Sequence, residues 1–293
     1  MPCALFYFSK SCKVVLYQYN CILYRNKKVP VPFLEIWVGQ FCNLKCKNCC
    51  HLIPYLEQKV YDMELLIEDC RKVFQWCEIE FFSIVGGEPF SHPHLDKLIN
   101  FVAECPDIKK GKIVTNGTIF PNEDILNALK RLEGKLEIRI DGYPGIGIGV
   151  AEKFAEIMHA NSIPYHFSRF NPNKPSSWKQ LTPDHAAPLE KNHSKELFAK
   201  CNIRDCNTLA DGELTLCPRG IGSECIFHIR KNRYEHVNVR GLNEAISAKA
   251  KIATGLDKTM YKNYCIYCLS LSEENDRYVK PGEQINSCSG LTG

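Results

Sequence analysis

No stretch of this 293-residue sequence is apolar for long enough to span a membrane, and none has the form of a secretory signal. Met1 to Tyr24 comes nearest, but Lys10, Lys13, Gln18 and Asn20 interrupt it. Net charge is also scarce: 37 basic against 33 acidic residues leave +4, too mild and too evenly spread to argue for nucleic acid. That balance still allows a small anionic ligand. No internal repeat is visible, which sets aside solenoids and propellers. With no route out of the cell in view, 17 cysteines do not read as a disulfide framework. The expected compartment is a reducing, low-oxygen cytoplasm, with neither membrane nor nucleic acid as partner.

What the sequence has instead is a thiol-rich loop that lacks an obvious fourth ligand. Cys42, Cys46 and Cys49 follow C-x3-C-x2-C. Structural zinc closes a tetrahedron with four ligands, so three suggest a metal centre with one open position. Soft thiolates also hold iron–sulfur clusters, and a 4Fe-4S cube gripped at three corners offers its fourth iron to an outside ligand. The alternative is a zinc knuckle completed by Cys50 or His51, although adjacent ligands such as Cys49 and Cys50 are awkward on one ion. Cys70, Cys77 and Cys105 lie in apolar helical patterns and read as buried small hydrophobes.

From Phe33 the pattern alternates. Strands are expected at Phe33 to Val38, Ile79 to Val85, Lys112 to Thr115, Leu136 to Ile140 and Ile163 to Phe167. Helices are expected at Asp62 to Cys77, Leu95 to Cys105, Asn122 to Leu132 (Asn122 as N-cap) and Val150 to Ala160. Such alternation predicts an α/β fold, a partial, open parallel β/α barrel with a small C-terminal domain. Five strands are countable; a sixth is absent or hidden. The predicted organisation is an N-terminal extension (1–30), the barrel core (31–170), a proline-rich linker or surface loop (171–195), a second unit (196–270) and a mobile polar tail (271–293).

In a parallel barrel, functional groups gather where strands end and βα loops begin. The cysteine loop follows the first strand, Gly86-Gly87-Glu88-Pro89 the second, Thr115-Asn116-Gly117 the third and Asp141-Gly142 the fourth. Paired glycines let backbone approach a ligand without a Cβ clash, so Gly87→Val is expected to spare iron and weaken ligand binding. Asp141 either faces substrate or opens an Asp-Gly turn. His92 and His94 read as a helix entrance; for Trp178 and Arg219 a substrate contact is the alternative to the first readings, core packing and a surface charge.

Cys42-x3-Cys46-x2-Cys49 after a first strand, with Gly-Gly-Glu-Pro after a second, resembles the radical S-adenosylmethionine (radical SAM) superfamily. The resemblance implies that Cys42, Cys46 and Cys49 bind a 4Fe-4S cluster whose open iron takes the methionine amine and carboxylate of S-adenosylmethionine. It implies that Gly86, Gly87, Glu88 and Pro89 contact that amine, that Asn116 contacts the ribose or methionyl part, and that flavodoxin or ferredoxin supplies the electron. One departure is Asn48, where many members carry an aromatic residue. Downstream, Cys201-x10-Gly212-x4-Cys217 with Cys265-x2-Cys268 resembles the twitch domain, a smaller relative of SPASM. That implies a second 4Fe-4S auxiliary cluster on Cys201, Cys217, Cys265 and Cys268. Cys206 competes with Cys201, Cys225 and Cys288 are further candidates, and a structural zinc site is the alternative. Ala210-Asp211-Gly212-Glu213 is a hairpin signal that would bring Cys217 back beside the preceding segment.

By this resemblance the chain is expected to be a radical enzyme and an oxidoreductase. It would form a 5′-deoxyadenosyl radical and remove hydrogen in a two-electron oxidation of a sugar, aminocyclitol or other small alcohol. Some thirty residues precede the barrel, fewer than a leader-binding module needs, which favours a small molecule over a peptide. The alternatives are a peptide or protein maturase and, from another class, a non-catalytic iron–sulfur or zinc scaffold.

Overall fold

The computed structural model describes residues 10–170 and 178–285. After a first helix, α1 (Lys10–Leu23), strands and helices alternate as β1 (Val29–Trp37), α2 (Met63–Trp76), β2 (Cys77–Val85), α3 (Leu95–Glu104), β3 (Gly111–Thr115), α4 (Glu123–Arg131), β4 (Leu136–Gly142), α5 (Ile148–Ala160) and β5 (Tyr165–Arg169). The second half adds α6 (Lys191–Ala199), β6 (Cys206–Ala210), β7 (Glu213–Thr215), a short α7 (Ser223–Phe227), β8 (His236–Asn238) and α8 (Ala245–Gly255). No helix among the described residues is long and apolar enough to cross a membrane.

Local chemistry sets these elements. Asp62 caps α2 by accepting from Leu65 N at 3.0 Å, and Leu66, Ile67, Cys70, Val73 and Phe74 bury one face. Asn122 caps α4 on Ile125 N at 2.9 Å, with Glu123 and Asp124 in the first turn and Lys130 and Arg131 in the last, each favourable to the helix dipole. β1 starts before the predicted apolar run because Pro30 and Pro32 fall at exposed positions near its beginning, where a missing N–H costs little. Cys77 both ends α2, donating its N–H to Val73 O, and opens β2, so no linker separates helix from strand. Cys70, Cys77 and Cys105 are buried, as their apolar settings predict.

The sheet runs β5-β4-β3-β2-β1-β6-β7-β8. Neighbours from β5 through β6 are parallel; β7 and β8 are antiparallel additions. With β5 and β8 at opposite edges, the sheet stays open. The sixth parallel strand thus exists: β6 adds beside β1 rather than after β5, which put it beyond the reach of simple alternation. The Asp211-Gly212 turn joins β6 to β7 with both residues at positive φ (45° and 78°), as an Asp-Gly hairpin requires.

One face of the sheet presents Leu34, Ile36, Phe82, Ile84, Ile113, Ile138, Ile140 and Leu209 to the helices, in one apolar core that also takes in Leu214, Val237 and Ile252. The segments expected as barrel core and second unit therefore share a core. They are pinned further by Asp69 on α2, a buried carboxylate that accepts from Arg240 Nε at 3.0 Å and Nη2 at 2.8 Å. The N-terminal extension, as α1, lies on α8, where Asn20 Nδ2 donates to Thr254 Oγ1 at 3.1 Å.

Two expectations need correction. Helix α6 starts inside the predicted linker, because the Glu190 carboxylate caps it on Asn192 N and His193 N; residues 171–177 of that linker lie outside the described residues. The polar tail is bound through residue 285. Asn275 is buried and donates to Gln180 O and Ser270 O at 2.9 Å, and residues 283–285 pair with the cysteine loop. Its polar groups serve as hydrogen-bond partners rather than as solvated chain. Cys288 lies outside the described residues.

Candidate functional site: two groups of thiols beside a polar sheet face

The cysteine loop leaves the end of β1 and is clamped by the turn after β2. Gly87 N donates to Gly39 O at 3.1 Å and Glu88 N to Phe41 O at 2.9 Å. A Cβ on Gly87 would stand 1.8 Å from Phe41 O and 2.9 Å from Cys42 N. The bare side of this glycine is therefore filled by the cysteine loop's own backbone. That corrects the expectation that it is kept open for a ligand. Gly86, at φ +127°, is pressed the same way, with Gly39 O 2.6 Å from its would-be Cβ.

Within the loop Cys46 is buried, Cys42 and Cys49 are half-buried, and all three are free thiols. Burial pushes Cys42 and Cys46 up to about 12 and raises Cys49. Repulsion from neighbouring thiolates adds to each, Cys42 feeling both Cys49 and Cys46. Such thiols ionise readily only when a cationic centre replaces their protons. Cys50 is exposed. His51 turns inward, its Nε2 3.3 Å from Glu35 Oε1 and its Nδ1 3.2 Å from Gly86 O. Among the described residues, no three His, Cys, Asp or Glu side chains gather as a single metal ion would require. The three soft donors of Cys42, Cys46 and Cys49 fit a cluster held at several separate irons.

Glu88 joins the second and third loops. Its buried carboxyl accepts from Phe90 N at 3.1 Å, Thr115 Oγ1 at 2.7 Å and Asn116 N at 2.9 Å, yet burial still pushes it up to about 7. Pro89 opens the short turn Pro89–Ser91 that follows. Asn116 Nδ2 donates to Asn43 Oδ1 at 3.0 Å, tying the third loop to the cysteine loop. Asp141 lies within β4 opposite Ser168, not in a turn, and accepts from Arg139 Nε at 3.1 Å. His92 and His94 stand at the entrance of α3, as expected.

The sheet's other face is where sequence reasoning missed the most. Glu35, Ser83 and Lys112 lie in one register row across β1, β2 and β3. Lys112 is depressed by burial and by Arg139, and it lies close enough to feel Asp141 and Glu35. Tyr143, raised well above its usual value by burial and then by Asp141, borders both this face and Cys46. The available signal was strand alternation: polar residues at every second position of strands whose other positions are apolar.

The hairpin between β6 and β7 carries the chain back to Cys217. Cys201, Cys217, Cys265 and Cys268 line one narrow void of about 30 Å³. Burial and then the charges of Cys201, Cys268 and Cys265 raise Cys217 far above its usual value. Cys206 is near enough to feel Cys217 but does not line this void, its Sγ lying 3.6 Å from Glu35 Oε2, and Cys225 is exposed. Arg219, expected at the surface, is only 3% exposed. Its Nη2 donates to Thr182 Oγ1 and Tyr267 O, both at 3.0 Å, while its Nε has no partner. Tyr264 Oη and Ser270 Oγ line the same void, also buried and unpartnered. Three unpaired donors around four thiols suit an anionic, acceptor-rich occupant. A separate polar cavity of about 460 Å³ is lined by Cys49, Tyr55, Gln180, Arg219 and Tyr278 among others. Trp178 packs edge-on against Tyr143, with ring centroids 5.2 Å apart.

Residues 37–156 match the family model of the radical SAM superfamily, a span holding the first thiol group, the Gly-Gly-Glu-Pro turn, Asn116 and Asp141. The GTP 3′,8-cyclase of Crocosphaera subtropica is 30% identical over 114 residues, 36% of this chain and 34% of that protein. That of Aquifex aeolicus is 29% identical over 106 residues, 34% and 32% respectively. The chain thus spans about a third of the length of these curated relatives. Among solved structures, BtrN in an open conformation aligns with a TM-score of 0.48 at 16% identity, over 87% of this chain and all of that one.

Proposed function

Because the chain belongs to the radical SAM superfamily, we propose that it cleaves S-adenosylmethionine reductively and uses the resulting 5′-deoxyadenosyl radical to take a hydrogen atom from a small polar substrate. The observation that carries this reading is the three-thiol loop locked to the Gly-Gly-Glu-Pro turn by backbone contact at Gly87. Cys42, Cys46 and Cys49 would hold the 4Fe-4S cluster that, with the cofactor bound, supplies the radical. Gly86, Gly87 and Glu88 fix the loop that presents those thiols. Asn116 and Asn43 brace the neighbouring rim, and Gly87, half-buried between the buried Gly86, Glu88 and Pro89, is the part of that turn left to meet the cofactor's amine.

Cys201, Cys217, Cys265 and Cys268 are assigned a second 4Fe-4S cluster, and the three unpaired donors support an anionic occupant there. Cys201 is preferred to Cys206 because it shares their void. This site would accept an electron, making the reaction a net two-electron oxidation. In such an oxidation the substrate carbon would give up one hydrogen atom, ending in 5′-deoxyadenosine, one electron, taken at the auxiliary site, and one proton, taken by a base of this chain. Asp141 is the candidate base, buried on the polar face beside Arg139. A sugar, aminocyclitol or similar alcohol suits both that face, which mixes cations with carboxylates, and the 460 Å³ cavity.

A nucleotide substrate, as in the matched cyclases, is the second reading, favoured by Lys112 and Arg139 on the same face. Reduced protein is incubated with S-adenosylmethionine and either a panel of deuterated aminocyclitols and sugars or deuterated GTP. Deuterium should enter 5′-deoxyadenosine from an alcohol carbon, with a ketone or aldehyde product. Transfer from GTP alone would replace the alcohol reading with the nucleotide one.

A further inference from the structure

Residues 277–285 cross from the second thiol group's side of the molecule to the first. Gln180 N donates to Arg277 O at 2.9 Å and Val279 N to Trp178 O at 3.1 Å, so the segment first pairs with residues 178–180. It then adds to the cysteine loop as a short antiparallel strand: Lys47 N donates to Glu283 O at 2.7 Å, Ile285 N donates to Lys45 O at 2.8 Å, and Cys46 lies opposite Gln284. The Gln284 side chain completes the join. Its Oε1 accepts from Lys45 N at 2.7 Å, and its Nε2 donates to Gly282 O at 2.7 Å and to Cys46 Sγ at 3.4 Å. Between these contacts Gly282, at φ +70°, leaves no room for a side chain: a Cβ would lie 2.6 Å from Tyr143 Cβ.

We propose that Gln284 is a positioning residue for the first thiol group, its side-chain amide orienting Cys46 and drawing electron density from its sulfur, and that residues 277–285 are the strap that holds it there. The inference rests on the reading in which Cys42, Cys46 and Cys49 hold a cluster. An N–H···S bond is stronger to the more electron-rich sulfur of the reduced state, so it raises the reduction potential. Just before the strap, Asn275 Nδ2 donates to Ser270 O at 2.9 Å, and Ser270 N donates to Cys268 Sγ at 3.4 Å.

The test pairs a redox measurement with a chemical one. In anaerobically reconstituted full-length protein, Gln284→Leu should retain its iron and show a more negative midpoint for the first cluster in an electron paramagnetic resonance titration. Iron retained at the wild-type midpoint overturns the proposal. In metal-free protein, alkylation by iodoacetamide mapped by mass spectrometry should be several-fold faster at Cys46 in Gly282→Val, which displaces the strap without deleting the Gln284 amide, with Cys42 as internal control. If Gln284→Leu loses its cluster, the alkylation decides: folded Gly282→Val with Cys46 no faster than wild type overturns the strap. Because the alkylation arm needs neither cluster nor cofactor, its failure is separate from any failure of the radical SAM reading.

Discussion

Replacing Gly87 by alanine isolates what holds the cysteine loop. Its φ lies outside the left-handed region, so alanine can adopt the backbone and the effect is purely steric. The new Cβ would meet Phe41 O at 1.8 Å, against about 3.4 Å for ordinary contact, so the loop must retreat by roughly 1.5 Å. Overpacking of this kind costs about 1–3 kcal/mol. The retreat also breaks the 2.9 Å bond from Glu88 N to Phe41 O, at a net cost of about 1 kcal/mol. The expected loss is therefore about 2–4 kcal/mol in urea unfolding, with iron uptake reduced because Cys42 moves with Phe41. Gly149→Ala is the control: nothing lies within 4 Å of its would-be Cβ on α5, and the change should stabilise by up to about 1 kcal/mol. A Gly87→Ala protein of wild-type stability and iron content, impaired only in binding S-adenosylmethionine, would refute the clamp and restore the open-glycine expectation.

Glu88 predicts a pH signature. Its carboxyl is pushed from 4.5 up to about 7 in the fold, so the unfolded chain loses this proton first as pH rises. Stability should then fall by about 3 kcal/mol between pH 4.5 and 7 relative to Glu88→Gln, measured by urea midpoints; parallel curves for the two proteins would contradict it. For the second thiol group, wild type should carry about eight irons per chain, and Cys265→Ala with Cys268→Ala should halve that while sparing 5′-deoxyadenosine formation. One zinc with about four irons in wild type would instead make the group a structural zinc site.

The alternation from β1 to β5, the Asp-Gly hairpin and both sets of spaced cysteines were legible because each depends on local periodicity or fixed spacing. β6 was not, since its partner β1 lies some 170 residues earlier and a five-residue strand carries little pattern of its own. Arg219 was misjudged for a similar reason: a lone arginine after Cys217-Pro218 looks solvated until the chain is closed around it. The tail shows the converse error. Polarity in residues 271–285 suggests freedom, yet these residues satisfy backbone groups on the cysteine loop and on residues 178–180. Gly87 was located correctly, but its close approach is to backbone rather than to ligand, a distinction that requires three dimensions.

The most direct test of the central claim is formation of 5′-deoxyadenosine by anaerobically reconstituted, chemically reduced protein supplied with S-adenosylmethionine. Wild type should produce it, and the variant with alanine at Cys42, Cys46 and Cys49 should not, while unfolding at a similar urea concentration. Undiminished 5′-deoxyadenosine from the triple variant, or none from iron-loaded wild type, would contradict the account.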